Sequence, residues 1–468
     1  ERAVVRKFDR RLVLFVALLY LLSFLDRSNI GNAFVAGMNE DLLQSTDPMQ
    51  ASSSAPSASS FSYYEQALTA FYVAYIGFEW LSLLWGRVPA HAYVSAVVLS
   101  WGLVASLQAV VSSYTWLTGL RFLLGIGEAG FTGIPIYLSF FFRREELALR
   151  TAVFISAAPL ATTFASSLAW LILKLGENGP IAPWRLLFLL EGFPAVVVAT
   201  LAWRIIPDSP EQASYLTRRE KLIARQHAMT RCCQALFTTL LDPVPWATAA
   251  ILFLTNVAYA SLPVFLPSIL TQMGHTPLAA QALAAPPHLV SFLAVLAAAA
   301  ISDALRSRAY LIAVAALISA LGYGFLAAAR WLGGGGGAGA AGDGGDMLNM
   351  ARYLAIYPAG AGLFCVVVLT IAWNVNNGGK GHGKGAGFAL MQAVGQCGPL
   401  VGTRLYPAAD APWFERGMGI CAGCMVGVAV SAVGLRWYLA RANRRLDKRE
   451  EEEEDGDEGE AEGLVGGN

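Results

Sequence analysis

The sequence predicts an all-α membrane protein, twelve transmembrane helices in two pseudo-symmetric bundles of six. Three observations carry this. Only 14% of the 468 residues are charged while 56% are hydrophobic, against about 25% charged in soluble proteins. Apolar runs near the roughly 20 residues that a bilayer-spanning helix needs recur along the chain. The longest internal polar break, residues 207–245, leaves six such runs on each side, the pattern of two parallel repeats.

In order, the runs cover 12–37, 63–85, 92–111, 116–142, 149–174, 184–206, 246–270, 280–302, 309–331, 350–374, 386–406 and 416–439. Period-two alternation of the barrel kind is absent, so these are helices, which satisfy their own backbone groups in lipid. The first run lacks a small-residue cleavage site and exceeds signal-peptide length, so it stays as a span. The chain begins at Glu1, and further residues are expected before it. The organisation expected is an N-terminal bundle over 1–206, a cytosolic central loop over 207–245, a C-terminal bundle over 246–440 and a disordered acidic tail over 441–468. Residues 44–60 form a Ser/Ala/Pro-rich loop without Lys or Arg, 333–346 a Gly/Ala insertion, and 210–231 a charged surface helix.

Charge sets orientation. Of 33 Lys and Arg, Lys174, Arg185, Arg330, Arg352, Arg404 and Arg416 fall on one side, and Arg27 and Arg121 lie at membrane depth. All the others fall on the side that carries both termini. That bias places the termini in the cytosol, and the plasma membrane is the expected location.

Net charge is zero, and no basic cluster with interleaved aromatics points to nucleic acid. His91, His227, His275, His288 and His382 are scattered, with no clustered nucleophile–base set, which argues against an enzyme and against a metal site. Cys232 and Cys233 lie in the polar loop; Cys365, Cys397, Cys421 and Cys424 lie in apolar runs and read as small packing residues. No cofactor is implied.

Chemistry concentrates in two places. In the first span, Phe24-Leu25-Asp26-Arg27-Ser28-Asn29-Ile30-Gly31 puts two opposite charges at depth. Charges there cost about 2.5–3.5 kcal/mol on insertion scales and face a bundle interior or a wet cavity, where they mark ion or substrate paths. In the fourth span, Leu120-Arg121-Phe122-Leu123-Leu124-Gly125-Ile126-Gly127-Glu128-Ala129-Gly130 sets Arg121 and Glu128 two turns apart on one face. An arginine offers a fixed fork to a carboxylate, and a carboxyl in a cavity that alternates between wet and dry can take and release a proton. Proton-coupled anion uptake needs that combination. The alternative for each pair is a brace that only holds helices together.

These stretches resemble the major facilitator superfamily, its anion:cation symporter branch, and within that a fungal allantoate/nicotinate-permease-like group. Trp184 to Gly192, Pro207-Asp208-Ser209-Pro210-Glu211, Ala285 to Val290 and Gln396 to Pro407 add to the likeness, which covers most of 8–440. The resemblance implies the major facilitator fold and a role for matching residues: Asp26 and Glu128 as the proton-responsive pair, Arg27 as the carboxylate ligand, and Arg121 as the arginine that pairs with the acid and holds one closed state. The loop signature between the second and third spans is degraded to Leu84-Trp85-Gly86-Arg87-Val88-Pro89, lacking its aspartate. Its counterpart survives as Ser302 to Arg308, with Asp303 and Arg306 as gate residues.

Further candidates are Tyr72 and Tyr75 (pocket lining or an aromatic stripe), and Glu79 (gate wiring or a loop anchor). Asn256 and Tyr259, near Pro263, sit on a gating helix or bond a neighbour, and Gln392 and Gln396, one turn apart, could bond substrate polar atoms. His288 reads as a packed ring, and Asn374, Asn376 and Asn377 as a cap. The expected function is import of a small organic anion, a vitamin-like or nitrogen-source carboxylate, by proton symport and alternating access. The partners are that anion, protons and the bilayer, and a monomer is favoured. A non-transporting nutrient sensor of the same fold, or a transporter of a neutral or cationic solute, is the alternative.

Overall fold

The computed structural model describes residues 2–46, 58–86, 88–138, 140–142, 144–176, 179–213, 215–216, 221, 242–305, 307–332, 343–377 and 384–465. Twelve long helical units run through them in the expected order. They are α1 (Leu14–Ala33), α2 (Ala58–Phe78), α3 (Ala90–Leu107), α4 (Tyr114–Ala129), α5 (Arg144–Gly176) and α6 (Pro183–Ile205), then α7 (Pro243–Gln272), α8 (Pro277–Leu305), α9 (Ala309–Leu332), α10 (Asp343–Asn377), α11 (Lys384–Gly395, resumed over Gly398–Gly402) and α12 (Glu415–Val465). No strand occurs among the described residues.

Eight stretches, on α3, α5 to α10 and α12, are long and apolar enough to cross a membrane unbroken. The other four units are where polar residues or breaks interrupt the run. α1 carries Asp26 and Arg27, α2 gives way to the 3-10 turn Glu79–Gly86, α4 to the 3-10 turn Gly130–Gly133, and α11 is split at Gln396 and Cys397. α1 ends in a kink at Gly37, whose φ of 98° favours glycine. Beyond it the short helix Asn39–Thr46 is pinned by Trp184 Nε1 donating to Asp41 Oδ2 at 2.8 Å and Tyr114 Oη to Asn39 Oδ1 at 2.9 Å.

Each half closes on itself: α3 packs on α6 and α2 on α4 in the first, α9 on α12 and α10 in the second. The halves meet along α5–α8, α5–α10, α1–α7 and α2–α11. At the face remote from the termini the seam is tight. A Cβ on Gly31 would lie 2.1 Å from the Val264 carbonyl oxygen, which also accepts from Tyr64 Oη at 3.4 Å. Gln281 Nε2 donates to the Asn32 carbonyl at 3.2 Å, and the Thr69 and Thr403 hydroxyls stand 3.5 Å apart. Outward-facing Leu103, Trp203, Leu321 and Val430 are exposed, as a lipid-facing surface requires.

α12 differs from expectation. It continues to Val465, so most of the stretch 441–468, expected as a disordered acidic tail, lies on the same helix. Arg, Glu and Ala are strong helix formers, which favours continuation of a helix already begun. The expected surface helix over 210–231, the 333–346 insertion, Cys232, Cys233 and Arg87 lie wholly or largely outside the described residues.

Candidate functional site

Between the halves, near mid-depth, lies a cavity lined from both of them. α1 supplies Tyr20, Ser23 and Arg27, at the three- and four-residue spacing that keeps them on one face. α2 adds Tyr72 and Tyr75, α4 adds Glu128, α7 adds Asn256 and Tyr259, and α11 adds Gln392 and Gln396. Arg27, Tyr72, Tyr75, Glu128, Asn256, Gln392 and Gln396, scattered over 370 residues of sequence, are thus brought to one space. A second cavity adjoins it, sharing Thr132, Phe388 and Gln392, and is lined by Glu79 where α2 ends. The path from the centre therefore leads to the face that carries the termini.

The centre is an ion pair. Arg27 Nη2 donates to Glu128 Oε2 at 2.6 Å and Nε to the same oxygen at 3.2 Å; Ser23 Oγ donates to it at 3.1 Å. Glu128 Oε1 is buried without a hydrogen-bond partner among the described residues. The guanidinium is 11% exposed and the carboxylate not at all. Three rings surround the cation: Tyr75 at 4.8 Å, Phe71 at 5.2 Å and Phe24 at 5.8 Å from its carbon. Such rings attract a cation while excluding water.

Asp26 and Arg121 stand elsewhere. Neither lines the cavity, and both are buried inside the N-terminal half. Arg121 is not hydrogen-bonded to Glu128: its Nη1 donates to the Asp26 backbone carbonyl at 3.4 Å, and its Cζ lies 5.6 Å from the Phe188 ring centre. The pairing of Arg121 with Glu128 read from the sequence is replaced by Arg27 with Glu128, because a neighbouring helix offers a closer fork than a residue two turns away. α6 carries Glu191, buried with neither oxygen bonded to a described residue and one turn beyond the Phe188 ring that meets Arg121, a residue not singled out from the sequence. As a lone acid in an apolar run it carried its own signal. Ser23 and Tyr20 were legible only as the i−4 and i−7 neighbours of Arg27.

In the C-terminal half the polar groups are neutral. Pro399 has no N–H, so the Gly395 carbonyl loses its helical partner; Asn256 Nδ2 fills the vacancy at 3.0 Å. A Cβ on Gly398 would lie 2.4 Å from the Phe253 carbonyl oxygen, so glycine lets the broken α11 close on α7. Asn374, expected as a cap, instead donates to Thr248 Oγ1 at 2.8 Å and ties α10 to α7. His288 is buried with its ring 6.2 Å from that of Phe364. Glu79 is buried with neither oxygen bonded to a described residue. Arg306 and the side chain of Asp303 lie outside the described residues.

The family model described as Major Facilitator Superfamily matches residues 16–403. The chain is 30% identical over 459 residues to "MFS transporter prlL" of Fungal sp. (strain NRRL 50135), covering 95% of this chain and 88% of that one. It is 32% identical over 337 residues to a "Putative tartrate transporter" of Agrobacterium vitis, covering 70% of this chain and 74% of the relative. Among solved structures, the proton:xylose symporter XylE bound to 6-bromo-6-deoxy-D-glucose superposes with a TM-score of 0.63 at 14% identity, over 89% of this chain and 94% of that chain. That likeness is one of fold.

Proposed function

This chain belongs to the major facilitator superfamily, a family of multi-pass membrane transporters rather than enzymes, and on that premise we propose that it imports a small organic anion by proton symport. Within the superfamily we place it in the anion:cation symporter branch, near the fungal allantoate/nicotinate-permease-like group. The observation that carries the reading is the Arg27–Glu128 pair at the centre of the cavity.

The chemistry follows from competition for one guanidinium. Arg27 spends its Nε and Nη2 on a single oxygen of Glu128. A substrate carboxylate needs the same fork. When Glu128 is ionised, the anion meets a cation already paired and a second negative charge beside it. A proton on Glu128 removes that charge and frees the fork, so the proton and the anion bind better together than apart. Ser23 then has a neutral carboxyl to bond, and Tyr72, Tyr75, Asn256, Gln392 and Gln396 offer neutral donors and acceptors for the rest of the substrate. Differential binding of this kind is what biases a two-state transporter toward one facing. Glu79 lies on the way out, where a proton or substrate would pass to the face of the termini.

The surplus of Lys and Arg on the side of the termini supports a cytosolic location for both ends in the plasma membrane. In that orientation the state described is closed outside, at Gly31 and Val264, and open inward. The relative named for tartrate, an organic dianion, supports a carboxylate substrate, and the transporting unit is a monomer.

The test is uptake of a panel of radiolabelled carboxylates, tartrate and nicotinate included, by cells expressing the chain at acid and neutral external pH, with Arg27→Ala alongside. Stronger accumulation at acid pH, lost in the variant, is the expected result. No uptake of any anion at either pH, or normal uptake by Arg27→Ala, overturns the reading in favour of a sensor or a neutral or cationic solute.

A further inference from the structure

We propose that Arg441, Arg444 and Arg445, where α12 leaves the membrane on the side of the termini, bind the headgroup of an anionic phospholipid whose acyl chains lie along the same helix face. The site requires only that α12 crosses a bilayer and is independent of what the protein transports. With the termini in the cytosol, the leaflet concerned is the cytosolic one, where anionic lipids concentrate.

One stripe of α12 carries both parts of the site. Val426, Val430, Val433 and Trp437 recur at the three- and four-residue spacing of a single helix face, and all are exposed. Met425, Val428, Ala432 and Leu435, on the other side, are buried, and α12 packs on α7 and α9. The exposed stripe therefore faces lipid. Continued at the same spacing, it reaches Arg441 and then Arg444 and Arg445, all three exposed. Arg441 Cζ lies 4.7 Å from the Trp437 ring centre, so the cation and an aromatic of the interfacial kind form one surface. Depth agrees. From Glu415, where the helix starts, it rises about 39 Å to Arg441, and a bilayer with its headgroups is about 40–45 Å thick. With Glu415 at one interface, the three arginines stand among the headgroups of the other.

Charge then identifies the occupant. Arg436, just before the stripe turns basic, is engaged by the protein: its Nη1 donates to Ser307 Oγ at 3.2 Å, and its Cζ lies 3.9 Å from the Tyr310 ring centre. Arg441, Arg444 and Arg445 have no carboxylate at ion-pair distance among the described residues. An acidic run follows them, and a flexible tail would let it fold back and neutralise them. Here the run continues the same helix. Glu450 is carried about 14 Å along the axis from Arg441, beyond the roughly 8 Å over which exposed charges act at physiological salt. By helical register Asp447 and Glu450 also fall outside the arc of the stripe. Three guanidinium forks are thus left open directly below a lipid-facing surface, and they complement a phosphodiester that carries a further negative group. A protein partner or a soluble anion would leave the adjoining Val430 and Trp437 surface without a role; a phospholipid covers both.

Native mass spectrometry of the full chain, released from micelles holding equal amounts of phosphatidylcholine and phosphatidylserine, tests it. The wild type should retain phosphatidylserine over phosphatidylcholine by on the order of tenfold, and the preference should shrink as ammonium acetate is raised. The variant carrying Arg441→Gln, Arg444→Gln and Arg445→Gln should lose the preference, and Trp437→Ala should weaken it several-fold. Arg436→Gln should keep it. Equal retention of the two lipids by the wild type, or an undiminished preference in the triple variant, overturns the proposal. Displacement of the bound lipid by glycerophosphoserine, which has the headgroup and no acyl chains, also overturns it and makes the arginines a site for soluble anions. A large gain in phosphatidylserine on replacing Glu450 to Glu454 with Gln would show that the acidic run is the occupant, with the same consequence.

Discussion

The two halves share a helical plan and differ in what they bury. The N-terminal half encloses Asp26, Arg27, Arg121, Glu128 and Glu191; in the C-terminal half, among the described residues, Arg352 is the one fully buried charge, and it lies near the remote face, donating to the Pro412 carbonyl. In place of charges the C-terminal half has more prolines inside its helices, Pro263 and Pro267 in α7, Pro286 and Pro287 in α8 and Pro358 in α10, against Pro159 in α5 and Pro194 in α6, and it has the split in α11. Buried charges demand a fixed geometry, because a guanidinium that drifts from its carboxylate exposes both to a dry interior. Missing backbone hydrogen bonds allow a helix to bend where neighbours re-satisfy the freed carbonyls. The difference teaches a division of labour in which one half recognises and the other yields.

The comparison breaks most sharply at Arg27. Arg27→Ala strands a wholly buried Glu128 carboxylate, so stability should fall by about 3–5 kcal/mol, and transport should be lost. Adding Glu128→Gln removes the stranded charge. The double variant should therefore melt close to wild type in detergent while still failing to transport. Equal melting of the single variant and the wild type would show that the pair holds nothing in place, and the N-terminal half would lose its claim to rigidity.

What the sequence could reveal here follows from what each signal measures. Helix existence was legible because lipid requires long apolar runs, and all twelve expected spans have a helical counterpart. Which candidates could reach a common cavity was legible in part, since depth along a span can be counted from its ends. Partner choice was not. Arg121 and Glu128 share a face of α4, yet Glu128 takes its fork from α1, and no spacing within one helix encodes the rotation of its neighbour. The Asn256–Gly395 bond was half legible: Pro399 announces an orphaned carbonyl, but not the residue that fills it. Helical propensity outweighed charge composition in the last stretch, where a disordered tail was expected and the helix runs on to Val465.

The seam between the halves gives a second, intermediate test. At Gly31 the α1 backbone meets the Val264 carbonyl with no room for a methyl group. Overpacking costs about 1–3 kcal/mol, and here the cost falls only on the state in which the remote face is closed. Gly31→Ala should thus shift the balance between facings by on the order of 10- to 100-fold and leave the fold intact. Hydrogen exchange should quicken over residues 28–33 and 262–266, with uptake reduced. Unchanged exchange in both segments would mean that the halves separate elsewhere.

The smallest effect sharpens the picture of the yielding half. Asn256→Ala leaves the Gly395 carbonyl without its donor, a loss of about 1–3 kcal/mol for a buried acceptor. Yet Gly395 sits at a break, where α11 can shift to meet water from the cavity that Asn256 itself lines. A site built to move should absorb the loss, so the melting temperature should fall by less than in Arg27→Ala, and the main change should be a several-fold rise in KM at nearly constant kcat. If Asn256→Ala instead destabilises the protein as much as Arg27→Ala does, the hydrogen bond across α7 and α11 is as rigid a constraint as the ion pair. Pliancy would then have to be sought in α8 and α10, around Pro286, Pro287 and Pro358, and the contrast between the halves would be one of charge alone.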